Sequence, residues 1–110
     1  MITIKNAYAA QVPAANTTLY TCPTNTQARV LKCTVCNDTT TAQTISFHKV
    51  PSGQAVGDAY LVLNAKALGS KETYECPEVV GQVLNAGDFI SGIAGGAAQM
   101  STMVDVVEIV

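Results

Sequence analysis

Residues 28–50 read A-R-V-L-K-C-T-V-C-N-D-T-T-T-A-Q-T-I-S-F-H-K-V and contain two runs in which apolar and polar side chains alternate. Alternation with a period of two is typical of a half-buried β-strand, so each run predicts a strand. Residues 38–41, D-T-T-T, separate the two runs by a connection short enough for a hairpin. This stretch therefore predicts antiparallel β-structure in the middle of the chain.

The same alternation assigns side chains to the two faces of each predicted strand. In the first run, the face directed inward holds Leu31, Cys33 and Val35. The opposite, mixed face holds Val30, Lys32, Thr34 and Cys36. In the second run, Ile45 and Phe47 are expected to point inward, and Ser46 and His48 outward.

Further strands are predicted on both sides of this centre. The candidate segments, bounded by Gly, Pro, Asn and Asp, are residues 17–22, 60–68, 71–76, 89–94 and 99–110. The Ala, Leu and Lys residues of 60–68 would also suit a helix, and residues 79–84 fit a short helical turn or a strand equally well. About seven or eight short strands at a spacing of roughly 8 to 12 residues are typical of a sandwich or jelly roll. The prediction is an all-β fold: a two-sheet, jelly-roll-like β-sandwich of antiparallel strands with at most one short helical turn.

The N-terminal segment, residues 1–16, differs from the rest because it is rich in alanine and contains Pro13. It is expected to form either an edge strand or an arm that becomes ordered on a partner. Residues 17–110 are expected to form a single β-sandwich domain. The candidate partner-binding residues in the N-terminal segment are Ile2, Ile4, Tyr8 and Val12.

The composition argues against binding to nucleic acid or to an anionic membrane. Of the 110 residues, 48% are hydrophobic and only 13% are charged, and the net charge is −2. The basic residues are scattered singly along the chain: Lys5, Arg29, Lys32, Lys49, Lys66 and Lys71. A basic patch is the usual electrostatic signature of a nucleic-acid or membrane ligand, so neither partner is expected.

Four cysteines raise the question of metal or redox chemistry. Cys33 and Cys36 form a C-x-x-C motif, but it lies within a predicted strand, where residues i and i+3 point to opposite faces. A zinc site needs both thiolates on one side, and no second motif supplies the missing ligands. The sequence also starts without the basic and apolar regions of a signal peptide. Synthesis in the cytoplasm is therefore expected, with the cysteines as buried thiols and with no metal and no cofactor.

No catalytic motif is apparent. His48 is the sole histidine, the serines near it, Ser46 and Ser52, are ordinary strand and turn residues, and no G-x-S-x-G elbow is present. The glycines Gly92, Gly95 and Gly96 do not open a helix, so they do not predict a phosphate-binding loop. The protein is therefore expected not to be an enzyme.

Threonine-rich strand faces with little charge are the more informative feature. They include Thr17, Thr18, Thr21, Thr34, Thr44, Ser46, Ser101 and Thr102. Strand edges and faces of this kind lack the charged residues that keep monomers apart. They fit a plain soluble sandwich, and they fit better a protein that associates with copies of itself or with a larger assembly.

Two blocks of the sequence carry a resemblance to a known family. The first comprises T-L-Y-T-C-P at residues 18–23 and A-R-V-L-K-C-T-V-C-N at residues 28–37. The second is S-K-E-T-Y-E-C-P-E-V-V-G-Q-V-L-N-A-G-D-F-I at residues 70–90, with Ser70 in place of a glycine. In these blocks the chain resembles small virion structural proteins of tailed bacteriophages.

The resemblance implies a structural role in the virion, with a protein made in the host cytoplasm. A capsid cement or decoration protein that binds the head surface is the first expectation, and a tail or fibre component is the alternative. The partners would be the major capsid protein or other virion proteins, with a homo-oligomer expected. A carbohydrate-binding or adhesive sandwich is a further alternative, which the lack of tryptophan disfavours.

Overall fold

A computed structural model describes residues 1–95 and 100–110. Its strands are β1 (Ile2–Val12), β2 (Thr17–Thr21), β3 (Gln27–Asn37), β4 (Gln43–Val50), β5 (Leu61–Leu68), β6 (Thr73–Tyr74), β7 (Val83–Leu84), β8 (Phe89–Ala94) and β9 (Met100–Ile109). Among the described residues, one 3-10 turn at Asp58–Tyr60 is the single helical element. The predicted glycine turn at Gly96 and the predicted strand start at Gln99 lie outside the described residues.

The strands form two antiparallel sheets that pack face to face. One sheet has the order β1-β9-β3-β6, with β7 also paired to β3, and the other has the order β2-β8-β4-β5. Apart from the pairs β4–β5 and β6–β7, successive strands lie in opposite sheets, which is the interleaved order of a jelly roll. The predicted all-β, jelly-roll-like sandwich is confirmed. Residues 60–68 lie mainly in β5, and residues 79–84 form a turn followed by the short strand β7.

The core lies between the two sheets and is built from side chains of both. The largest fully buried ones include Phe47, Ile45, Leu68, Leu84, Ile90 and Met100. Gly92 lies where a Cβ would come within 3.1 Å of both Leu19 and Phe47, so these side chains pack closely against the β8 backbone. Tight packing of this kind is what fixes the two sheets in one arrangement.

The predicted hairpin between residues 28–37 and 44–50 is wrong. β3 pairs with β9 in the five-stranded sheet, whereas β4 pairs with β5 and β8 in the four-stranded sheet. The connection therefore crosses from one sheet to the other. Asn37 anchors it, because its buried Nδ2 donates to the carbonyls of Thr41, Leu68 and Gly69 at 2.9, 3.1 and 3.0 Å.

The predicted face assignment of β3 is correct for Lys32, Cys33 and Val35 and wrong for Val30 and Leu31. A bulge between Val30 and Lys32 shifts the pairing with β9. Because the bulge adds one residue to the strand, Val30 turns into the core while Leu31 is 43% exposed. The position of the bulge leaves no mark on the sequence, since both residues are large and apolar.

His48 points away from the core as predicted, but it is buried. It follows the inward Phe47 on β4 and faces away from the main core, together with Val50 and, across the β4–β8 pair, Ser91. His48 is 6% exposed and Ser91 is 1% exposed. The 3-10 turn between β4 and β5 contacts β4, so this loop covers the outward face at that point.

The N-terminal segment forms an edge strand. β1 pairs with β9 along its whole length, from Ile2 opposite Ile109 to Val12 opposite Met100, with one bulge between Asn6 and Tyr8. Beyond the last pair, the Met1 amino group donates to the Val110 carbonyl at 3.0 Å, and the Val110 amide donates to the Met1 carbonyl at 2.9 Å. Residues 1 and 110 therefore lie side by side at one corner of the sheet.

Candidate docking surface

The large exposed hydrophobic side chains are concentrated on one side of the molecule. Within the described ranges they are Met1, Ile2, Ile4, Leu31, Val80, Val83, Met103, Ile109 and Val110. Every one of them belongs to a strand of the five-stranded sheet or to a segment that adjoins it. The four-stranded sheet contributes none of these residues, so the two sheets differ in how much large hydrophobic surface they expose.

The strand register shows which face carries these side chains. Val104 and Val106 of β9 lie in the core, so Met103 and Ile109, which alternate with them, point outward. Residues directly opposite each other in an antiparallel pair share a face, and Ile2 lies opposite Ile109. We call this surface the outer face of the five-stranded sheet: the outward side chains of β1, β9, β3 and β7.

The charges on this outer face are few: Arg29 and Lys32 of β3 and Asp105 of β9 point outward. The Asn6 Nδ2 donates to Asp105 Oδ1 at 2.8 Å, and Lys32 lies opposite Asp105 in the register of β3 and β9. Lys32 also lies 3.8 Å from Glu75, an exposed pair that contributes little to stability. A largely apolar face with so few charges has a low cost of desolvation.

Two shallow depressions interrupt the outer face. The first, of about 400 Å³, is lined by Ala9, Thr34, Cys36 and Met103 among others. The second, of about 310 Å³, is lined by Leu31, Lys32, Glu75, Pro77 and Val80. Both have the size of a pocket for a few side chains of a partner.

The outer face borders a long free strand edge. β1 has 11 residues, contains no proline and carries one charge, at Lys5. The edge strand β5 of the other sheet is interrupted at Ala65, which has φ +50° and donates its amide to Ser46 Oγ at 2.8 Å. β1 is therefore the edge better suited to pairing with another chain.

Of the four candidate partner-binding residues of the N-terminal segment, two lie on the surface and two pack in or against the core. Ile2 and Ile4 are 68% and 71% exposed on the outer face. Tyr8 lies past the β1 bulge, opposite the core residue Val104, and packs against the core. Val12 is fully buried, so it belongs to the core and offers no surface to a partner. The exposed residues of β9 and β7 were not singled out from the sequence, although β9 alternates clearly.

A cluster of three side chains fastens β1 and the two sheets together. Tyr20 of β2 donates its hydroxyl hydrogen to the Glu108 carboxylate of β9. Lys5 of β1 lies 3.2 Å from that carboxylate and 5.7 Å from the centre of the Tyr20 ring. The Tyr20 bond, followed by the bond from Lys5, holds the pKa of Glu108 below its ordinary value. Burial and the bond to Glu108 raise the pKa of Tyr20.

The C-x-x-C motif is split between the two faces of β3. Cys33 is fully buried in the core, whereas Cys36 is partly exposed and lines the first depression of the outer face. The two thiols therefore cannot bind one ion. Within the residues that the structure describes, no group of three His, Cys, Asp or Glu side chains is arranged to hold a metal ion.

His48 and Ser91 are the remaining pair of side chains of types that can act in catalysis. Among the described side chains, His48 Nδ1 and Ser91 Oγ are the two buried polar atoms without a hydrogen-bond partner. A nucleophile and its base need a hydrogen bond to each other and a third group that orients the base. Neither feature is present, and a covering loop closes the site, so the pair does not form a catalytic arrangement.

Comparison with known proteins finds no matching family model, no matching curated protein and no matching solved structure. None of the described residues belongs to a helix long and apolar enough to cross a membrane. The functional interpretation therefore depends on the outer face of the five-stranded sheet and its free edge.

Proposed function

We propose that this protein is a structural component of a bacteriophage virion: a capsid decoration or cement protein that binds the outer surface of the head and reinforces the shell. The observation that carries the proposal is that, among the described residues, every large exposed hydrophobic side chain lies on the five-stranded sheet or on a segment that adjoins it. Contiguous exposed apolar surface of this kind marks a protein-binding site. The major capsid protein is the proposed partner.

The size of the outer face bears on how such a protein would attach. Three long strands, β1, β9 and β3, at about 4.8 Å spacing and about ten residues at about 3.3 Å each give a flat face of about 480 Å², and β6 and β7 add two residues each. A stable interface typically buries about 800 Å² on each partner. The outer face is smaller than this, so a docked copy would need additional contacts, such as contacts with neighbouring copies.

Repetition would strengthen the attachment. A decoration protein meets a lattice of identical sites, and copies that also contact each other gain avidity from their linked binding. The free edge of β1 is suited to such a contact, because two identical edges can pair antiparallel across a twofold axis. We therefore propose that the protein is also a homo-oligomer on the particle.

Electron cryo-microscopy of purified phage particles that contain the protein tests the proposal. Density for the sandwich that repeats with the capsid lattice, with its five-stranded sheet facing the shell, is the expected result. Density on the tail alone would replace the head role with the tail or fibre role. Absence of the protein from purified particles would rule out both.

Matched substitutions test the docking face. Ile4→Lys and Met103→Lys each place a charge on the outer face, where burial against a partner would be costly. Thr18→Lys is the control, because it adds the same charge at an exposed position of the four-stranded sheet. The first two variants should fold normally and occupy particles at least tenfold less, whereas Thr18→Lys should attach normally. Equal occupancy of all three would contradict the proposed face.

A further inference from the structure

The path of the chain after β6 brings two core cysteines together. In the antiparallel pair of β3 and β6, Val35 lies opposite Tyr74 and Cys36 lies opposite Thr73. β6 ends at Tyr74, and Cys76 follows two residues later with φ +47°, while Cys33 precedes Val35 by two residues on β3. Both cysteines are fully buried in the core.

A second attachment on the far side of Cys76 holds it in this place. The Gly81 amide donates to the Val30 carbonyl at 2.8 Å, and the Val30 amide donates to the Gln82 carbonyl at 3.1 Å. Cys76 is thus bracketed by contacts to β3 at residues 30 and 35, and Cys33 lies between them. A hydrogen bond with Cys33, followed by burial, raises the pKa of the Cys76 thiol, which is consistent with direct contact between the two sulfurs.

We propose that Cys33 and Cys76 are the site of a latent intramolecular disulfide, which forms when the folding chain meets a low-molecular-weight disulfide such as oxidised glutathione. A disulfide requires Cα atoms roughly 4.4 to 6.8 Å apart. The pairing of Val35 with Tyr74 and the bonds of Val30 to residues 81 and 82 hold the segment that contains Cys76 against the part of β3 that contains Cys33. Both side chains are directed into the same core, so a small adjustment of the turn after β6 would suffice to form the bond.

The remaining two cysteines are excluded from this pairing by their positions. Cys36 lies on the outer face, with the β3 backbone between it and Cys33. The Cys22 thiol is buried elsewhere and donates to the carbonyl of Thr26 at 3.3 Å. The proposed bond is thus not the one between Cys33 and Cys36 that the C-x-x-C motif would suggest.

The reaction is an ordinary thiol–disulfide exchange. The thiolate of one cysteine attacks glutathione disulfide and releases one glutathione thiol, leaving a mixed disulfide. The second cysteine, losing its proton, attacks the protein sulfur of that mixed disulfide and releases the second glutathione thiol. Two protein thiols are oxidised by two electrons, and one glutathione disulfide is reduced to two thiols.

Burial determines when the reaction takes place. Both sulfurs are closed to solvent in the folded protein, so the oxidant reaches them while the chain folds or when residues 76–82 open. Once formed, the bond would close a loop between positions 43 residues apart and restrict the unfolded chain. A rise in Tm of about 10 °C is expected, and dithiothreitol should reverse it.

The experiment is to refold the full chain from denaturant in a glutathione redox buffer, block remaining thiols with N-ethylmaleimide and analyse the product by mass spectrometry. Two blocked thiols and a proteolytic peptide joining Cys33 to Cys76 are expected. Four blocked thiols, or a bond that uses Cys22 or Cys36, would overturn the proposal. This result does not depend on whether the protein is part of a virion.

A variant series strengthens the test. The double variant Cys22→Ser/Cys36→Ser keeps only the proposed pair and should retain both the cross-linked peptide and the reversible rise in Tm. Cys76→Ser should show neither. If Cys76→Ser fails to fold, the double variant alone tests the proposal. A cross-link in the double variant can join only Cys33 and Cys76, and the absence of a cross-link would contradict the proposed pairing.

Discussion

The hydroxyl of Tyr20 on β2 and the carboxylate of Glu108 on β9 are joined by a hydrogen bond that spans the two sheets. Lys5 of β1 also forms an ion pair with Glu108, so side chains of β1 and β2 both contact this one carboxylate of β9. A similar pair occurs at Tyr74, whose hydroxyl donates to Glu78 at 2.5 Å within one local turn. The two tyrosines, each two residues before a Cys-Pro pair, therefore make comparable bonds, one across the sandwich and one within a local segment.

Replacing Tyr20 by phenylalanine should destabilise the fold. A hydrogen bond to a charged group typically contributes about 1.5 to 3 kcal/mol, and Glu108 is nearly buried. The free energy of unfolding from urea titration should fall by that amount. Tyr74→Phe is the matched control, and its effect should be smaller because Glu78 is exposed. If Tyr74→Phe lowered the free energy of unfolding more than Tyr20→Phe, the prediction that the Tyr20 bond is the more stabilising one would be wrong.

Stability should decline at both extremes of pH because of the same pair. The folded pKa of Glu108 lies below its ordinary 4.5, so its contribution is present above that value and is lost as the pH falls through the folded pKa. The folded pKa of Tyr20 lies above its ordinary 10.0, so its contribution is present below that value and is lost as the pH rises beyond it. Urea midpoints measured across this range should show a plateau between the two limits.

The Glu108→Gln variant distinguishes the contribution of this carboxylate to the loss of stability at low pH from the contributions of other acidic groups. It should be less stable than the parent at neutral pH, and the difference should shrink on acidification because the parent also loses the charge. A difference that stays constant down to the lowest pH would show that the carboxylate charge is not the stabilising feature. Glu78→Gln provides the exposed counterpart.

Asn37→Asp should be strongly destabilising. The Asn37 amide nitrogen donates to three carbonyl oxygens, and a carboxylate there would place a buried negative charge against them. An uncompensated buried charge costs about 3 to 5 kcal/mol, which thermal melts would report directly. Asn64→Asp, on the exposed part of β5, should change stability little. Comparable losses in both variants would mean that Asn37 does not act as the anchor of the crossing.

Gly87→Ala should destabilise the turn before β8. Gly87 has φ +87°, and a Cβ would lie 2.4 Å from Ser52 Oγ. The strained backbone alone costs about 1 to 3 kcal/mol, measurable as a lower urea midpoint. Gly57→Ala is the control, since its backbone is extended and a Cβ there meets no atom within 4 Å. An unchanged midpoint in Gly87→Ala would contradict the positive φ.

The fold class was predictable because alternation reports directly on half-buried strands. The runs that contain Cys33, Val35, Ile45 and Phe47 have their core residues as expected. Pairing was not predictable in the same way: the connection after Asn37 has the length of a hairpin loop, yet it crosses between sheets. Short connections of both kinds look alike in sequence, and the buried amide bonds that decide between them are made to residues about 30 positions away.

The candidate docking surface was predictable only in part for a related reason. Ile2 and Ile4 could be predicted as candidate partner-binding residues because they alternate with polar residues at the start of the chain. Leu31 and Val83 join them on the outer face through a bulge and a two-residue strand, which are set by tertiary contacts with β9 and β3. His48 shows the converse, since a covering loop buries a position that alternation places on the surface.

The mutual hydrogen bonds of Met1 and Val110 have a practical consequence for engineering. A peptide or reporter fused to either of these residues would leave from the same corner, beside Ile2 and Ile109 on the outer face. Bulky fusions there would obstruct the proposed docking face, whereas a short linker joining the two residues would allow the chain to be opened elsewhere. Gly53, in the exposed loop after β4, is one such position, because that loop adjoins the four-stranded sheet.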